Sequence, residues 1–213
     1  MSSNNSKVRK IALSLALLLP NAINGITFSL PNPVYPLLAE SRHLPPFVEA
    51  LFFAIFPLPL LFVFYYMPPF EHNCGAKTTY MVHLLFFTLS SFFMAFIHYL
   101  RSPWLFSIWS LLFRLLNGFA DAGIAYQYRT LGKRLLPSHF ALMNELTVAT
   151  FIFFSGIGPF MSAPISAKYG FHVTCFLVSA LALATTLFVW CVLYKENCDP
   201  VISESSVPRR LLS

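Results

Sequence analysis

Three ionisable side chains lie within or beside strongly apolar sequence and are the first candidates for chemistry: Arg114, Asp121 and Glu145. A charged side chain within a membrane helix costs about 2.5 to 3.5 kcal/mol on insertion scales, so it normally faces a bundle interior or an aqueous cavity. Arg114, inside the run LLFRLLNGFADAGIAY, is therefore predicted to serve gating, substrate binding or proton coupling. The alternative is structural: backbone carbonyls or a carboxylate would satisfy the guanidinium and hold helices together.

The two carboxylates have several interpretations each. Asp121 follows Arg114 by seven residues, which is two helical turns and places both on roughly one face. That separation is too long for a direct i,i+4 pair, so Asp121 either lines the same cavity or caps a helix end in water. Glu145 is expected in the first turn of the next apolar segment, where the helix dipole favours a carboxylate. Its alternative role is an acid bordering a transport path.

Uncharged polar residues and a glycine–proline run supply the remaining candidates. Asn21 and Asn24 flank a proline, which frees backbone carbonyls, so they are expected to line a cavity or to satisfy those carbonyls. Gly156, Gly158 and Pro159 interrupt the apolar run NELTVATFIFFSGIGPFMSAPI and remove side-chain bulk from it. They predict either a bending helix at a moving interface or an ordinary small-residue packing seam.

The sequence contains no pattern typical of an enzyme or a metal site. There is no nucleophile elbow, no HExxH, no glycine-rich phosphate loop and no dense carboxylate cluster. The four cysteines show neither CxxC nor Cys/His spacing, so neither a metal site nor a disulfide is indicated. We expect a protein that is not an enzyme and that needs no cofactor and no metal.

The composition indicates a membrane protein. Of the residues, 57% are hydrophobic and only 10% are charged, whereas a soluble domain averages about 25% charged residues. Apolar runs of about 20 residues are typical of a polytopic helical protein surrounded by a lipid bilayer. The net charge of +6 does not predict nucleic-acid binding, because the basic residues lie at segment ends and are not interleaved with exposed aromatics.

Six apolar segments are predicted to span the membrane, which gives an all-α polytopic fold. They cover about residues 11–31, 46–67, 79–100, 104–126, 140–165 and 170–194. The first follows a basic stretch, as in a signal peptide, but it is long for a cleaved segment and is interpreted as a retained helix. Its prolines predict a kinked or broken-ended helix, whereas those of the second segment are expected to be tolerated in a bundle.

The basic residues predict the orientation. Those expected on the N-terminal side are Lys7, Arg9, Lys10, Lys77, Arg129, Lys133, Arg134, Lys195, Arg209 and Arg210. Only Arg42, Arg101 and Lys168 are expected on the opposite side. By the positive-inside rule both termini are cytosolic, in either the plasma membrane or an intracellular vesicle. The expected domains are an N-terminal tail 1–10, a six-helix domain 11–194 and a C-terminal tail 195–213.

The fourth and fifth segments resemble two signatures of the major facilitator superfamily. The run RLLNGFADA resembles the fourth-helix pattern RxxQGxGxA, with Asn117 replacing Gln and Ala120 replacing the second Gly. The run GIGPFMSAPI resembles the fifth-helix antiporter pattern GxxxGPxxGG, with Ser162 and Ala163 replacing the glycine pair. The loop HNCGAK keeps only the Gly and the Lys of the pattern GxxxDRxGRK. Spacing, loop charge and Glu145 are most similar to the drug:proton antiporter and vesicular amine or polyamine branch.

The resemblance implies half of a rocker-switch carrier, in which two six-helix halves enclose a midplane site and alternate its access. It implies proton coupling at Arg114, a closing interface at residues 156–159, and exchange of small organic cations or amines for protons. Asp121 and Glu145 are further predicted sites of proton coupling or gating, and Asn117 is predicted to line the substrate cavity. The expected partner is a second copy or another six-helix half, because six helices do not enclose a two-sided cavity. The alternative is a truncated, non-transporting membrane protein that acts structurally or regulates a full-length carrier.

Overall fold

The computed structural model describes residues 2–194, with side chains from residue 7 onward, and contains no strand in that range. In chain order its α-helices are α1 Ser2–Ser29, α2 Tyr35–Glu40, α3 Pro46–Ala54, α4 Val63–Cys74, α5 Ala76–Met94, α6 Pro103–Leu135, α7 Phe140–Tyr169 and α8 Phe171–Tyr194. Short 3-10 helices cover Leu58–Leu61, Ala95–Tyr99 and Pro137–His139. The predicted all-helical fold is confirmed. The predicted tail 195–213 lies outside the described residues.

Most of the predicted segments are long and apolar enough to span a membrane. Among the described residues, four stretches meet both criteria: Lys7–Ser29, Ala76–Tyr99, Pro137–Tyr169 and Phe171–Tyr194. Two further pieces, Pro46–Leu61 and Val63–Cys74, meet the criteria together and are bent by 53° at the break between them, as in a broken span or a re-entrant loop. The chain is therefore a polytopic α-helical membrane protein.

The remaining predicted segment, residues 104–126, lies inside the 33-residue helix α6. At about 1.5 Å per residue this helix is about 50 Å long, which exceeds the roughly 30 Å hydrocarbon core of a bilayer. It is not among the apolar spans. Arg114 and Asp121 lie within it, and Lys133 and Arg134 occupy its last turn. Helices α1, α4 and α5 pack against α6 and cover part of its polar surface.

Prolines affect the first two segments in different ways. α1 runs unbroken through Pro20 and ends at Ser29, just before the following prolines, which fits the broken-ended alternative. The second segment is broken: α3 ends at Ala54, and a 3-10 turn containing Pro59 precedes α4. Proline has no N–H to continue the ladder of hydrogen bonds. α4 then continues to Cys74, beyond the predicted end at residue 67.

α7 is a single uninterrupted helix although it contains Pro159 and Pro164. Residues 156–159 therefore do not break the helix, and the bending of α7 at a moving interface stays a prediction. Each proline removes one backbone donor, and the rest of the hydrogen-bond ladder remains intact. Most of α7 is exposed or half-buried in the described structure. Its buried residues are Met143, Thr147, Gly158 and Ser162.

The ends of the segments meet in two groups. Lys77, at the start of α5, donates a hydrogen bond of 3.0 Å to the backbone oxygen of Tyr194, at the end of α8. Arg42, after α2, donates to the backbone oxygens of His98 and Leu100, at the far end of the third segment. The first group marks the end at which α1 begins, and the second marks the opposite end. Which end faces the cytosol stays a prediction.

Candidate functional site

Arg114 is enclosed by aromatic rings and anchored by one backbone oxygen. Only 1% of the residue is exposed, and its Nη2 donates a hydrogen bond of 2.8 Å to the carbonyl oxygen of Phe28. The guanidinium carbon lies 4.4 Å from the ring centre of Phe56, 5.1 Å from that of Phe52 and 5.6 Å from that of Phe28. Cation–π attraction to three faces and one charge-assisted hydrogen bond together hold the cation in the bundle.

The local structure of the anchoring segments makes this arrangement possible. Phe28 lies in the last turn of α1, where carbonyl oxygens have no partner within the helix and carry partial negative charge. Phe52 and Phe56 lie on either side of the end of α3. The Nε and Nη1 atoms of Arg114 have no hydrogen-bond partner in the described part of the chain. The Nη2 donor of Arg114 therefore links α6 to α1, and its Nε and Nη1 donors remain available to a ligand. A structural role of Arg114 is thus compatible with a functional one.

Gly118, one turn after Arg114, allows α6 to approach the end of α3. A Cβ atom placed on Gly118 would lie 2.9 Å from the carbonyl carbon of Phe56 and 3.2 Å from its Cα, and would also overlap its oxygen. Those are backbone atoms, which cannot rotate away as a side chain would. Arg114 and Gly118 of the run RLLNG therefore both lie against Phe56. Because Gly118 has no side chain, α6 approaches closely enough for the Phe56 ring to reach the guanidinium of Arg114.

Asp121 is linked to α1 through Asn24. The Asn24 Nδ2 atom donates a hydrogen bond to Asp121 Oδ1, and Asn24 is 1% exposed whereas Asp121 is half-buried. α6 continues to Leu135, so Asp121 lies within the helix and is not an end cap. The Asn24 Oδ1 atom lacks a partner among the described residues. The result is a carboxylate with a neighbouring unpaired acceptor.

Arg114 and Asp121 of α6 both face α1. Asn24 and Phe28 are one helical turn apart on α1 and contact Asp121 and Arg114 respectively. No ion pair within 4.0 Å joins Arg114 to Asp121 in the described structure, although their charges are close enough to interact. Arg114 and Asp121 therefore lie on the same face of α6, as predicted, and they do not form an ion pair in the described structure.

The other predicted asparagines lie elsewhere. Asn117 is 1% exposed, and its Nδ2 donates to the hydroxyl oxygens of Ser90 and Ser91 on α5, at 3.2 and 3.4 Å. Asn21 donates to the backbone oxygen of Leu17, one turn earlier in its own helix. Of the three asparagines, only Asn24 has a hydrogen bond to an ionisable site residue. Cavity lining by Asn21 and Asn117 stays a prediction.

Glu145 is separate from the Arg114 and Asp121 pair. It is exposed on α7, and no hydrogen bond or ion pair joins it to either residue in the described structure. The expected position in the first turn is wrong, because α7 begins at Phe140 and has no acidic residue in its first turn. The role of Glu145 at a transport path stays a prediction.

The predicted interface residues of α7 occupy different surroundings. Gly158 is packed against α1, where an added Cβ would lie 2.7 Å from the oxygen of Ile26 and would overlap the hydroxyl of Ser29. Ser162, one turn later, donates a 2.7 Å hydrogen bond to the oxygen of Leu30. Gly156 is exposed with nothing near its Cβ position, and Pro159 is half-buried. Close packing on α1 therefore involves the second glycine and not the first.

Sequence reasoning missed a polar contact near the end at which α1 begins. Glu71 on α4 accepts a hydrogen bond of 3.2 Å from Gln127 and forms an ion pair of 2.8 Å with Arg134 on α6. The predicted second segment ended at residue 67, which placed Glu71 in a loop. The seven-residue spacing of Gln127 and Arg134 on one helix was the available signal.

Comparison with known proteins gives one result. A family model described as Major Facilitator Superfamily matches residues 17–209, which include the C-terminal part of α1 and the whole of α6 and α7. No curated protein matches the chain.

Proposed function

Because the chain belongs to the major facilitator superfamily and is thus a transporter of some solute, we propose that it exchanges a small organic cation or amine for protons. Access to the site alternates between the two faces of the membrane, with both chain termini in the cytosol. The family match favours transport over the alternative of a non-transporting membrane protein.

The observation that carries the proposal is the carboxylate of the half-buried Asp121, which lies beside Asn24. One carboxylate oxygen accepts the Asn24 amide hydrogen bond, which leaves the second oxygen for a ligand. The unpaired Asn24 Oδ1 supplies a further acceptor. An ammonium group donates hydrogen bonds and accepts none, so two neighbouring acceptors, one of them charged, fit it.

Competition for Asp121 couples the two flows. When the carboxylate is ionised, it attracts an organic cation and offsets the positive charge of Arg114. When a proton binds the carboxylate, that attraction is lost, and Arg114 then repels a cation in a site of low dielectric constant. The site therefore holds either the proton or the substrate, and each crosses the membrane in the direction opposite to the other. Glu145, exposed on α7, is proposed to exchange protons with water.

A partner completes the transport path in this proposal. α7 presents large exposed apolar side chains, among them Phe153 at 65% and Phe160 at 83% exposure. We expect a second six-helix half, from another copy or another chain segment, to pack over the site so that the cavity has walls on both sides.

The test measures uptake of ethidium, a fluorescent organic cation whose two amino groups donate hydrogen bonds, into proteoliposomes that are acidic inside. Asp121→Asn keeps the size and the Asn24 contact but removes the negative charge. A hydrogen bond to a charged group contributes about 1.5 to 3 kcal/mol, so cation affinity is expected to fall about 10- to 150-fold, and uptake should no longer depend on the pH gradient.

Glu40→Gln is the matched control, because Glu40 is an exposed carboxylate at the end of α2. It should leave uptake unchanged. Uptake driven by the pH gradient that survives in Asp121→Asn would overturn the assignment of this carboxylate. Absence of uptake in the wild-type protein, across several organic cations, would overturn the proposed substrate class.

A further inference from the structure

An apolar cavity of about 390 Å³ lies between the end of the third segment and the start of α6. It is lined by Phe93, Phe96, Ile97, Leu100, Trp109 and Phe113. Its volume is within the range of about 300 to 1,000 Å³ typical of ligand sites. None of these side chains offers a charge, so the cavity suits a hydrocarbon group and not the polar head of a cation. It is also separate from Arg114 and Asp121.

The cavity forms where the third segment changes its helical geometry. α5 ends at Met94, and the chain continues as a 3-10 helix over Ala95–Tyr99. A 3-10 helix has about 3.0 residues per turn and is narrower than an α-helix, so side chains on its surface no longer match those of the neighbouring α6. The unfilled space between the two helices is the cavity.

Stacked aromatic rings form one wall of the cavity. The rings of Phe93 and Phe113 lie 5.8 Å apart at 10°, and those of Phe113 and Trp109 lie 5.4 Å apart at 20°. Ile97 is fully buried, whereas Phe96 is 44% and Trp109 is 41% exposed. The cavity is therefore closed at Ile97 and open on the side where lipid surrounds the protein.

A cation follows the cavity directly in the chain. Arg101 is exposed, comes immediately after the lining residue Leu100, and has no hydrogen bond or ion pair within the described residues. Nearby Arg42 differs, since it is engaged by the backbone oxygens of His98 and Leu100. An unengaged guanidinium at the edge of the hydrocarbon region is suited to a phosphate, which it can bind with two parallel hydrogen bonds.

We propose that this cavity binds one acyl chain of a phospholipid from the leaflet at this end of the bundle, with the lipid phosphate on Arg101. Charge and shape support this choice of ligand together: the cavity takes the apolar chain, and the adjacent cation takes the anionic head group. The exposed Trp104, at 79% exposure, lies three residues further on, as expected for an aromatic residue at the membrane interface. The proposal does not depend on the identity of the transported solute.

A second cavity provides a matched control. It has a volume of about 350 Å³, lies between the 3-10 turn at Leu58–Leu61 and α6, and includes Leu116 in its apolar lining. No charged residue lines it. If hydrocarbon burial alone retained a lipid, the two cavities would bind lipid equally well.

The experiment uses the purified full chain in nanodiscs that contain phosphatidylglycerol with a photoactivatable group on one acyl chain. After illumination, labelled peptides are quantified by mass spectrometry. Labelling should concentrate in residues 93–113. Leu100→Trp, which fills the first cavity, should lower that labelling at least fivefold, whereas Leu116→Trp, which fills the second, should leave it unchanged. Thermal unfolding and gel filtration confirm that each variant is folded.

Arg101→Gln tests the head-group contact without altering the cavity. It should lower labelling of residues 93–113 by the phospholipid at least threefold, and it should not change labelling by a photoactivatable fatty alcohol, which has no phosphate. Equal labelling of wild type and Leu100→Trp would overturn the proposal. So would uniform labelling of all lipid-facing helices, no effect of Arg101→Gln, or preferential labelling of this cavity by a photoactivatable sterol.

Discussion

The replacement Gly118→Ala tests the contact that brings Arg114 and Phe56 together. In the native structure α6 approaches the backbone after α3 so closely that an added methyl group would lie 2.9 Å from the Phe56 carbonyl carbon. Ordinary carbon–carbon contact requires about 3.5 to 4.0 Å. Relief therefore needs a shift of one helix relative to the other of several tenths of an ångström or more.

The expected magnitude follows from two opposing terms. Inserting a methyl group into a tightly packed site costs about 1 to 3 kcal/mol. Alanine in place of glycine within a helix returns about 0.8 to 1.0 kcal/mol. Because the obstacle is backbone, we expect the upper part of the cost, and a net loss of about 1 to 2 kcal/mol in the free energy of unfolding. For a chain of this size that lowers the melting temperature by about 2 to 8 °C.

Gly156→Ala is the matched control, because nothing lies within 4 Å of its Cβ position. There the helix-propensity gain is unopposed, so the melting temperature should stay the same or rise by up to about 4 °C. The assay is thermal unfolding of both purified variants in one detergent, followed by tryptophan fluorescence. A Gly118→Ala protein as stable as Gly156→Ala would refute the close approach of α6 to Phe56, and with it the placement of the guanidinium over that ring.

Two further substitutions test the polar contacts of the bundle. Arg114→Lys keeps the charge but loses the planar guanidinium that stacks on aromatic rings. Cation uptake into proteoliposomes should therefore fall at least tenfold while the protein still folds. Uptake at the wild-type level would show that the positive charge alone is sufficient. Ser162→Ala leaves the Leu30 oxygen without its 2.7 Å donor, which should lower the free energy of unfolding by about 1 kcal/mol in chemical denaturation. The control Ser155→Ala removes a hydroxyl that bonds only within its own helix on a less buried face, and equal effects of the two serine changes would contradict the interhelical role of Ser162.

Local sequence was sufficient for the approximate positions of the helices. Apolar runs of the required length place each segment, because the bilayer allows little else. It was insufficient where proline was involved: Pro20 and Pro159 lie inside continuous helices, whereas the segment around Pro57 and Pro59 is broken. The same residue type has opposite outcomes because neighbouring helices decide whether a freed backbone oxygen can remain in place.

For the candidate site, too, the sequence predicted some features and the tertiary structure decided the others. The composition of α6 alone pointed to Arg114 and Asp121, since a charge in apolar sequence requires a partner wherever the chain places it. The partners were not predictable, because Phe28 precedes Arg114 by 86 residues and Asn24 precedes Asp121 by 97. Glu71 was missed for a related reason: its partner Arg134 lies on a helix that the apolar pattern ended at residue 126.

By itself the sequence determined that this protein is a bundle of membrane helices with two charges in its fourth segment, because hydrophobic length and the cost of burying charge are properties of single segments. Only the tertiary structure decided that Arg114 is bound by a carbonyl oxygen of α1 and three phenylalanine rings, that Asp121 is held by Asn24, and that Gly158 packs while Gly156 does not. Those outcomes depend on the distances between helices that are remote in the chain, and side-chain periodicity carries no information about such distances.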